Sequence, residues 1–399
     1  MLAIKGGKPV REKEWPKWPI FDDREVKILE EVVRSGYWGG GLDNSGPWED
    51  MFEKSFAKRH GCKYGVTVTS GTAALFTSLL ATGIGPGDEV IVPALTFWAT
   101  GNAVLMTGAT PVIVDVDPNT YCMDVEKVEK NITDRTKAII PVYNYGTSPD
   151  MSRLVELAEK HDLALIEDCA RAHGFEWDGK PAGSLGDMGC FSFQQGKFMT
   201  SGEGGIIITN NELYAERCFT IKNCGRIRKG RIQDIGIDYW WNMFNFRMTQ
   251  FQAAILLVQL ERLDEQLKTR QENSEYLSKQ LENIEGVTPI KVHEKLIKHQ
   301  PWPYAFKYDS KDFKNVPINR FIEALRAEGI PAKGLDHPPL HMTLRAWHSL
   351  KIKRTKCPVA EKAIYETVTL PQWVFLGTKE DMDDIVEAII KIQKHAHNL

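Results

Sequence analysis

The 399 residues, 42% hydrophobic and 26% charged with a formal net charge of -3 at pH 7, describe an ordinary globular chain, long enough for one large domain and a smaller one. The near-neutral balance gives no overall pull toward polyanions, which argues against nucleic acid as a partner. Seven scattered cysteines without a C-x-x-C pair suggest neither a disulfide framework nor a metal site; with no apolar leader and no run near the roughly 18 apolar residues of a membrane span, a cytoplasmic protein is expected.

Residues 1–30 are read as an N-terminal arm. From about residue 65 to 210, β-rich runs such as "YGVTV", "DEVIVPAL", "TPVIVDVD", "AIIPVYNYG", "ALIEDCA", "GCFSFQ" and "GGIIITN" alternate with helical stretches. Near-continuous apolar strands separated by helices predict a mainly parallel sheet covered on both faces, an α/β large domain over 31–248. "GIGPGDE" follows a helix and precedes a strand, the reverse of a dinucleotide-binding turn, so it is a connecting loop and an NAD-dependent dehydrogenase is disfavoured. A long helix is predicted from Thr249, where Thr249 and Gln252 match a capping box. Leu256, Leu260, Leu263 and Leu267, then Leu277, Leu281 and Ile284, form one apolar stripe along it. This linking helix covers 249–285, and 286–399 mix strand and helix patterns as a small α+β domain.

Ligand sites in such sheets lie at the carboxyl ends of the strands, so Ser70, Gly71 and Thr72, Asp168 and Lys197 are expected to meet there. In "TSGTAALF", free N–H groups, hydroxyls and the positive helix end converge as they would on a phosphate, though the motif is weak alone. Asp168, at the end of an apolar strand, needs a cationic or donor partner to stay charged; a pyridinium nitrogen would serve, and a helix N-cap is the plainer alternative. A lysine in a partly desolvated site has a lowered pKa and can condense with an aldehyde and shuttle protons, which suits Lys197, although most lysines are surface charges. His337 and His341 in "HPPLH" are split by two prolines, which rules out a helical zinc pair and leaves a substrate loop or a structural turn. The basic run Arg226, Arg228, Lys229 and Arg231 would suit a diphosphate or be a solvated loop.

In this order the features resemble fold-type I enzymes dependent on pyridoxal 5'-phosphate. More specifically, "SGTAAL", "GDEVIVPALTFWAT", "IEDCARAHG", "GDMGCFSFQQGK", "GEGGIIIT" and "FNFRMTQFQAAILLVQLERLDE" are similar to the DegT/DnrJ/EryC1/StrS aminotransferases, which act on keto sugars and keto cyclitols. The resemblance implies a mainly parallel seven-stranded sheet sandwiched by helices, with a smaller α+β C-terminal domain. It also implies that Lys197 forms the internal aldimine and shuttles protons, that Asp168 pairs with the pyridinium nitrogen, and that Ser70, Gly71, Thr72 and Ser192 hold the phosphate. Phe97 would stack on the ring. Asn245 would reach the phosphate from the neighbouring subunit, and Tyr37 and Trp38 lie in a loop that crosses the same interface, so an obligate homodimer with shared sites is implied. Two positions depart from the family pattern: Arg171 stands beside the phenolic oxygen where Gln or His is usual, and Met243 where many relatives have glycine.

The activity implied is transfer of an amino group from L-glutamate or L-glutamine, through pyridoxamine phosphate, to a ketone on a sugar or cyclitol. The nearest branch is that of inosose aminotransferases and aminohydroxybenzoate synthase. A dehydratase would carry His in place of Lys197, and a non-catalytic binding protein on the same fold would have lost Lys197 or Asp168. A 3-amino-5-hydroxybenzoate-type synthase stays open as an alternative.

Overall fold

A computed structural model describes residues 1–230, 236, 243–335, 337–343 and 356–399; Arg231 of the basic run lies outside them. The apolar runs pair as one seven-stranded sheet: β1 (Tyr64–Val68), β2 (Glu89–Pro93), β3 (Thr110–Val114), β4 (Thr136–Ile139), β5 (Ala164–Asp168), β6 (Met188–Ser192) and β7 (Gly205–Thr209). Their spatial order is β1-β7-β6-β5-β4-β2-β3. The pairs from β6 through β5, β4 and β2 to β3 are all parallel, and β7 runs antiparallel to both of its neighbours.

Strand side chains alternate between faces, and the alternation builds two cores. The longer helices around the sheet include α1 (Asp23–Ser35), α2 (Pro47–Arg59), α3 (Gly71–Ala81), α4 (Trp98–Met106), α5 (Met151–His161) and, after β7, α6 (Glu212–Lys222). Ile91, Ile206 and Ile208 pack with Phe52 and Phe56 of α2 and Leu154 of α5. Their neighbours Val90, Val92 and Ile207 pack on the opposite face with Leu75 and Leu79 of α3, Val104 of α4 and Phe219 of α6. Burying each such side chain contributes about 1.5–3 kcal/mol, which leaves a strand no freedom to slip by one residue. "GIGPGDE" is the loop joining α3 to β2.

The single long helix expected from Thr249 is instead two, α7 (Gln250–Glu261) and α8 (Leu263–Leu281). Thr249 and Gln252 form the capping box. The break falls at Arg262, whose guanidinium donates to Glu25, to Asp22 at 2.9 Å and to the Ile20 carbonyl at 3.1 Å. The leucine stripe therefore serves two cores: Leu256, Leu263 and Leu267 join that of the large sheet, whereas Leu277, Leu281 and Ile284 join that of a second sheet.

That second sheet is antiparallel, with β9 (Tyr304–Tyr308) between β8 (Val287–Pro289) and β10 (Thr367–Leu370). It packs through Phe306, Val368 and Leu370 on α9 (Ile318–Ala327) and α10 (Lys379–Lys394). The N-terminal residues belong physically to this small core: Leu2 is buried in it, and Glu328 accepts from the amides of Ala3 and Val10 at 2.8 and 3.0 Å. Among the described residues no helix is long and apolar enough to cross a membrane.

Candidate active site

Three strand ends and one loop meet at the carboxyl edge of the large sheet. Where β1 hands over to α3, Ser70 is the N-cap and its Oγ accepts from the Ala73 amide at 3.1 Å. The first amides of α3 have no intrahelical acceptor and carry the positive end of the helix dipole. Opposite stands Ser192, the last residue of β6. The approach is so close that a Cβ on Gly71 would lie 2.8 Å from Cβ of Ser192, so glycine is what keeps the cradle open.

Asp168 ends β5, buried, with Oδ2 accepting from the Thr100 hydroxyl at 2.8 Å and Oδ1 from the Ala170 amide at 3.2 Å. The Thr96 hydroxyl backs that of Thr100 at 2.7 Å. Burial raises the Asp168 pKa above the ordinary aspartate value; the Thr100 hydrogen bond and the charges of Lys197 and Arg171 offset part of the cost. The carboxyl thus sits in a place suited to a further cationic partner.

Lys197 lies five residues beyond the end of β6, in the turn "QQGK", with its amide bonded to the Gln194 carbonyl at 2.9 Å. Its Nζ stands 3.8 Å from the centroid of the Trp302 ring, and Cζ of Arg171 stands 4.8 Å from the same ring. Arg171 also donates to Oδ1 of the buried Asn144. Two distant segments hold the turn itself: Trp18 Nε1 donates to the Gln195 carbonyl at 2.8 Å, and Gln372 Nε2 to that of Gly196 at 3.4 Å. Gln372 is in turn fixed by the fully buried Arg270, whose Nε donates to its Oε1 at 2.8 Å. Beneath the site His173 is buried, and burial, then the Lys197 charge, hold its pKa well below the usual histidine value. As a neutral ring it donates from Nε2 to the Ser192 carbonyl at 2.9 Å.

The α3 start, Asp168, Arg171, Ser192, Lys197 and Trp302 line one cavity of about 750 Å³. Of the residues singled out from sequence, it takes in Ser70, Gly71, Thr72, Phe97, Asp168, Arg171, Ser192, Lys197 and His337. The His337 ring packs tilted against those of Phe97 and Trp98, with centroids 4.9 and 5.1 Å away. The remaining candidates lie outside it. Tyr37, Trp38 and Arg226 are exposed; Asn245 is exposed and bridges to Asn223; His341 pairs through Nε2 with Glu361 at 3.0 Å. Met243 lies beside Gly225. Sequence reading missed Trp302, Asn144, Thr96, Thr100, Arg326 and Lys333, which line the cavity or back Asp168. Thr96 and Thr100 stand in the run "LTFWAT" and Asn144 in "YNYG", where sequence reading gives them no role; Trp302, Arg326 and Lys333 stand in none of the motifs above and meet the site only through the fold.

The DegT/DnrJ/EryC1/StrS aminotransferase family model matches residues 19–390. The L-glutamine:2-deoxy-scyllo-inosose aminotransferase of Streptomyces fradiae is 38% identical over 420 residues, covering 100% of this chain and 99% of that protein. Among solved structures, 3-amino-5-hydroxybenzoic acid synthase is 33% identical with a TM-score of 0.85, over 96% of this chain and 99% of that one. DesV of S. venezuelae, solved with a ketimine intermediate, is 30% identical with a TM-score of 0.81, over 94% and 95%. On the family match and these full-length likenesses, the chain belongs to the DegT/DnrJ/EryC1/StrS aminotransferase family.

Proposed function

We propose that this protein is a pyridoxal phosphate-dependent aminotransferase that moves an amino group from L-glutamine to the ketone of a cyclitol such as an inosose. The observation that carries the reading is the meeting of Lys197, Asp168 and the Ser70–Gly71 helix start in one cavity, in a chain 38% identical to an enzyme named for that reaction. Pyridoxal phosphate fits these residues on two counts. The Gly71–Ser192 cradle has room for a phosphate that one Cβ would remove, and Asp168 is a buried carboxylate whose ordinary charge state needs a cation.

When bound, the cofactor supplies an electrophilic carbon and an electron-accepting ring. The α3 amides with Ser70, Thr72 and Ser192 would hold its phosphate, Asp168 would keep the ring nitrogen protonated, and Phe97 would cover the ring. Arg171, anchored by Asn144, would place a permanent positive charge at the phenolic oxygen. The Lys197 amine would then act as base and acid: Nζ would take the proton from the donor's α-carbon and return a proton as the amino group is passed on. Trp302 and the clamped turn hold Nζ where it can do both.

The protein would work as a homodimer. Phe21, Val26, Tyr37, Trp38 and Leu42 leave large apolar side chains exposed near the N-terminus, and Asn245 stands outside the cavity of its own chain, as a residue serving a neighbour's site would. Sedimentation velocity checks this; a monomer active at nanomolar concentration contradicts it. The likeness to 3-amino-5-hydroxybenzoic acid synthase favours one second reading, an enzyme that aromatises its cyclic substrate, and the absorption of the product separates the two. The test of the main reading is the visible spectrum of the purified protein with the cofactor: a yellow band that L-glutamine bleaches and an inosose restores supports it. A protein that takes up no cofactor overturns it.

A further inference from the structure

Two cations on the small-domain wall of the cavity have no part in the chemistry above. Arg326 lies in the last turn of α9, Lys333 on the segment that follows it, and both line the cavity that holds Lys197 and Asp168. Among the described residues neither has a carboxylate within ion-pairing distance. Both stand on fixed backbone. Arg326 Nε donates to the Ala332 carbonyl at 2.8 Å, Lys333 and Thr369 of β10 exchange amide hydrogen bonds of 2.9 and 2.8 Å, and the Thr369 hydroxyl donates to the Gly334 carbonyl at 3.0 Å.

Of the other charged groups lining the cavity, Lys197 is the acid-base group of the reading above and Glu203 is an anion, of the wrong sign to receive a carboxylate. The α3 start takes the phosphate, Asp168 the ring nitrogen and Arg171 the phenolic oxygen, and all belong to the large sheet's edge. The two substrates use the cavity in turn, and they differ in one respect that a cation pair detects: the amino donor carries an α-carboxylate, whereas a keto cyclitol is an uncharged polyol. A guanidinium fork beside an ammonium is a strong receptor for a carboxylate, and gains little from a hydroxyl.

We propose that Arg326 and Lys333 form the donor-carboxylate subsite, binding the α-carboxylate of the incoming amino acid and having no share in acceptor recognition. This rests on the aminotransferase reading. The two cations are specificity-determining residues that let one cavity hold two unlike substrates: the donor through charge from the small domain, the acceptor through uncharged contacts.

The test is to prepare Arg326→Gln, Lys333→Gln, the double variant and Lys333→Arg as cofactor-loaded proteins. KM for L-glutamine and for 2-deoxy-scyllo-inosose is measured separately, and glutarate, an unreactive carboxylate, is titrated by calorimetry. Each single Gln variant is expected to raise the glutamine KM about 10-fold, the loss of one charge-assisted contact, and the double variant about 100-fold. The acceptor KM should stay within about 2-fold, glutarate binding should weaken in step with the glutamine KM, and Lys333→Arg should restore most of both. An acceptor KM that rises while glutamine is unaffected overturns the proposal. So does thymidine diphosphate binding that the wild type shows and the double variant loses, because the cations would then read a nucleotide-linked acceptor. If the wild type transfers no amino group yet binds glutarate through both cations, the carboxylate subsite stands and the reaction is misread. If the wild type is active and the variants bind glutarate normally, this proposal alone fails.

Discussion

Glu167 and Asp168 are neighbours at the end of one strand, both are buried, and burial raises the pKa of both, yet they serve opposite faces of the sheet. Glu167 accepts from the Tyr143 hydroxyl at 2.6 Å and from the amides of Gly183, Leu185 and Gly186 at 2.8 Å each. Asp168 has one hydroxyl and one amide, and an open cavity in front of it. A buried carboxylate with a full set of donors is a structural hub, here fixing the loop from Gly183 to Gly186. One with a partial set, facing a cavity, is poised for a cation that the chain does not itself provide in full.

The largest effect expected bears on the group that faces Asp168. Lys197→Ala should lower amino transfer by at least about 10⁴-fold while circular dichroism and melting temperature stay close to wild type, since it removes the proposed acid-base group. Asp168→Asn should cost roughly 10²–10⁴-fold in turnover, because an amide cannot hold the ring nitrogen's proton. The same change should not destabilise the protein without cofactor, and pH sharpens that point. The carboxyl has a raised folded-state pKa, so its favourable contribution to stability is complete below the ordinary value of 3.8 and is lost as pH rises through the higher folded-state value. Melting temperatures of the cofactor-free protein should therefore fall across that window in wild type more than in Asp168→Asn.

Glu167→Gln should invert the pattern. An amide in that pocket turns an N–H toward groups that donate, so unfolding in urea should show a loss of about 2–4 kcal/mol. Turnover per folded molecule should stay within about 2-fold of wild type, given that no reacting atom is touched. Gly71→Ala should push a methyl into Ser192 at a cost of about 1–3 kcal/mol, read as weaker cofactor binding in an equilibrium titration. The smallest effect belongs to Trp302→Leu, which removes a cation–π contact worth about 0.5–2 kcal/mol. It should change the pH profile of turnover more than its maximum, and Trp302→Phe should restore part of it.

The same pair of carboxylates marks how far the sequence could be read. The strands and their burial were legible because apolar runs of four or five residues between helices have few other solutions, and Asp168 stood out as a charge at the end of one. Lys197, Ser70 and Gly71 were legible for the same local reason. Thr100, Asn144 and Trp302 were not, because each reaches the site by tertiary contact across tens of residues: Thr100 meets Asp168 from a helix 68 positions earlier. The break at Arg262 was also hidden. The leucine periodicity runs through it unbroken, and the partners that hold the Arg262 side chain at the break, Glu25 and Asp22, lie more than two hundred residues away. Where a residue's partner is distant in sequence, pattern alone carries no signal.

The most direct test is to load the protein with pyridoxal phosphate, reduce it with borohydride and map the modified peptide by mass spectrometry, in wild type and in Asp168→Asn. The account predicts one modified lysine, Lys197, and weaker loading in the variant. A modified lysine elsewhere in the chain, or none, would contradict it.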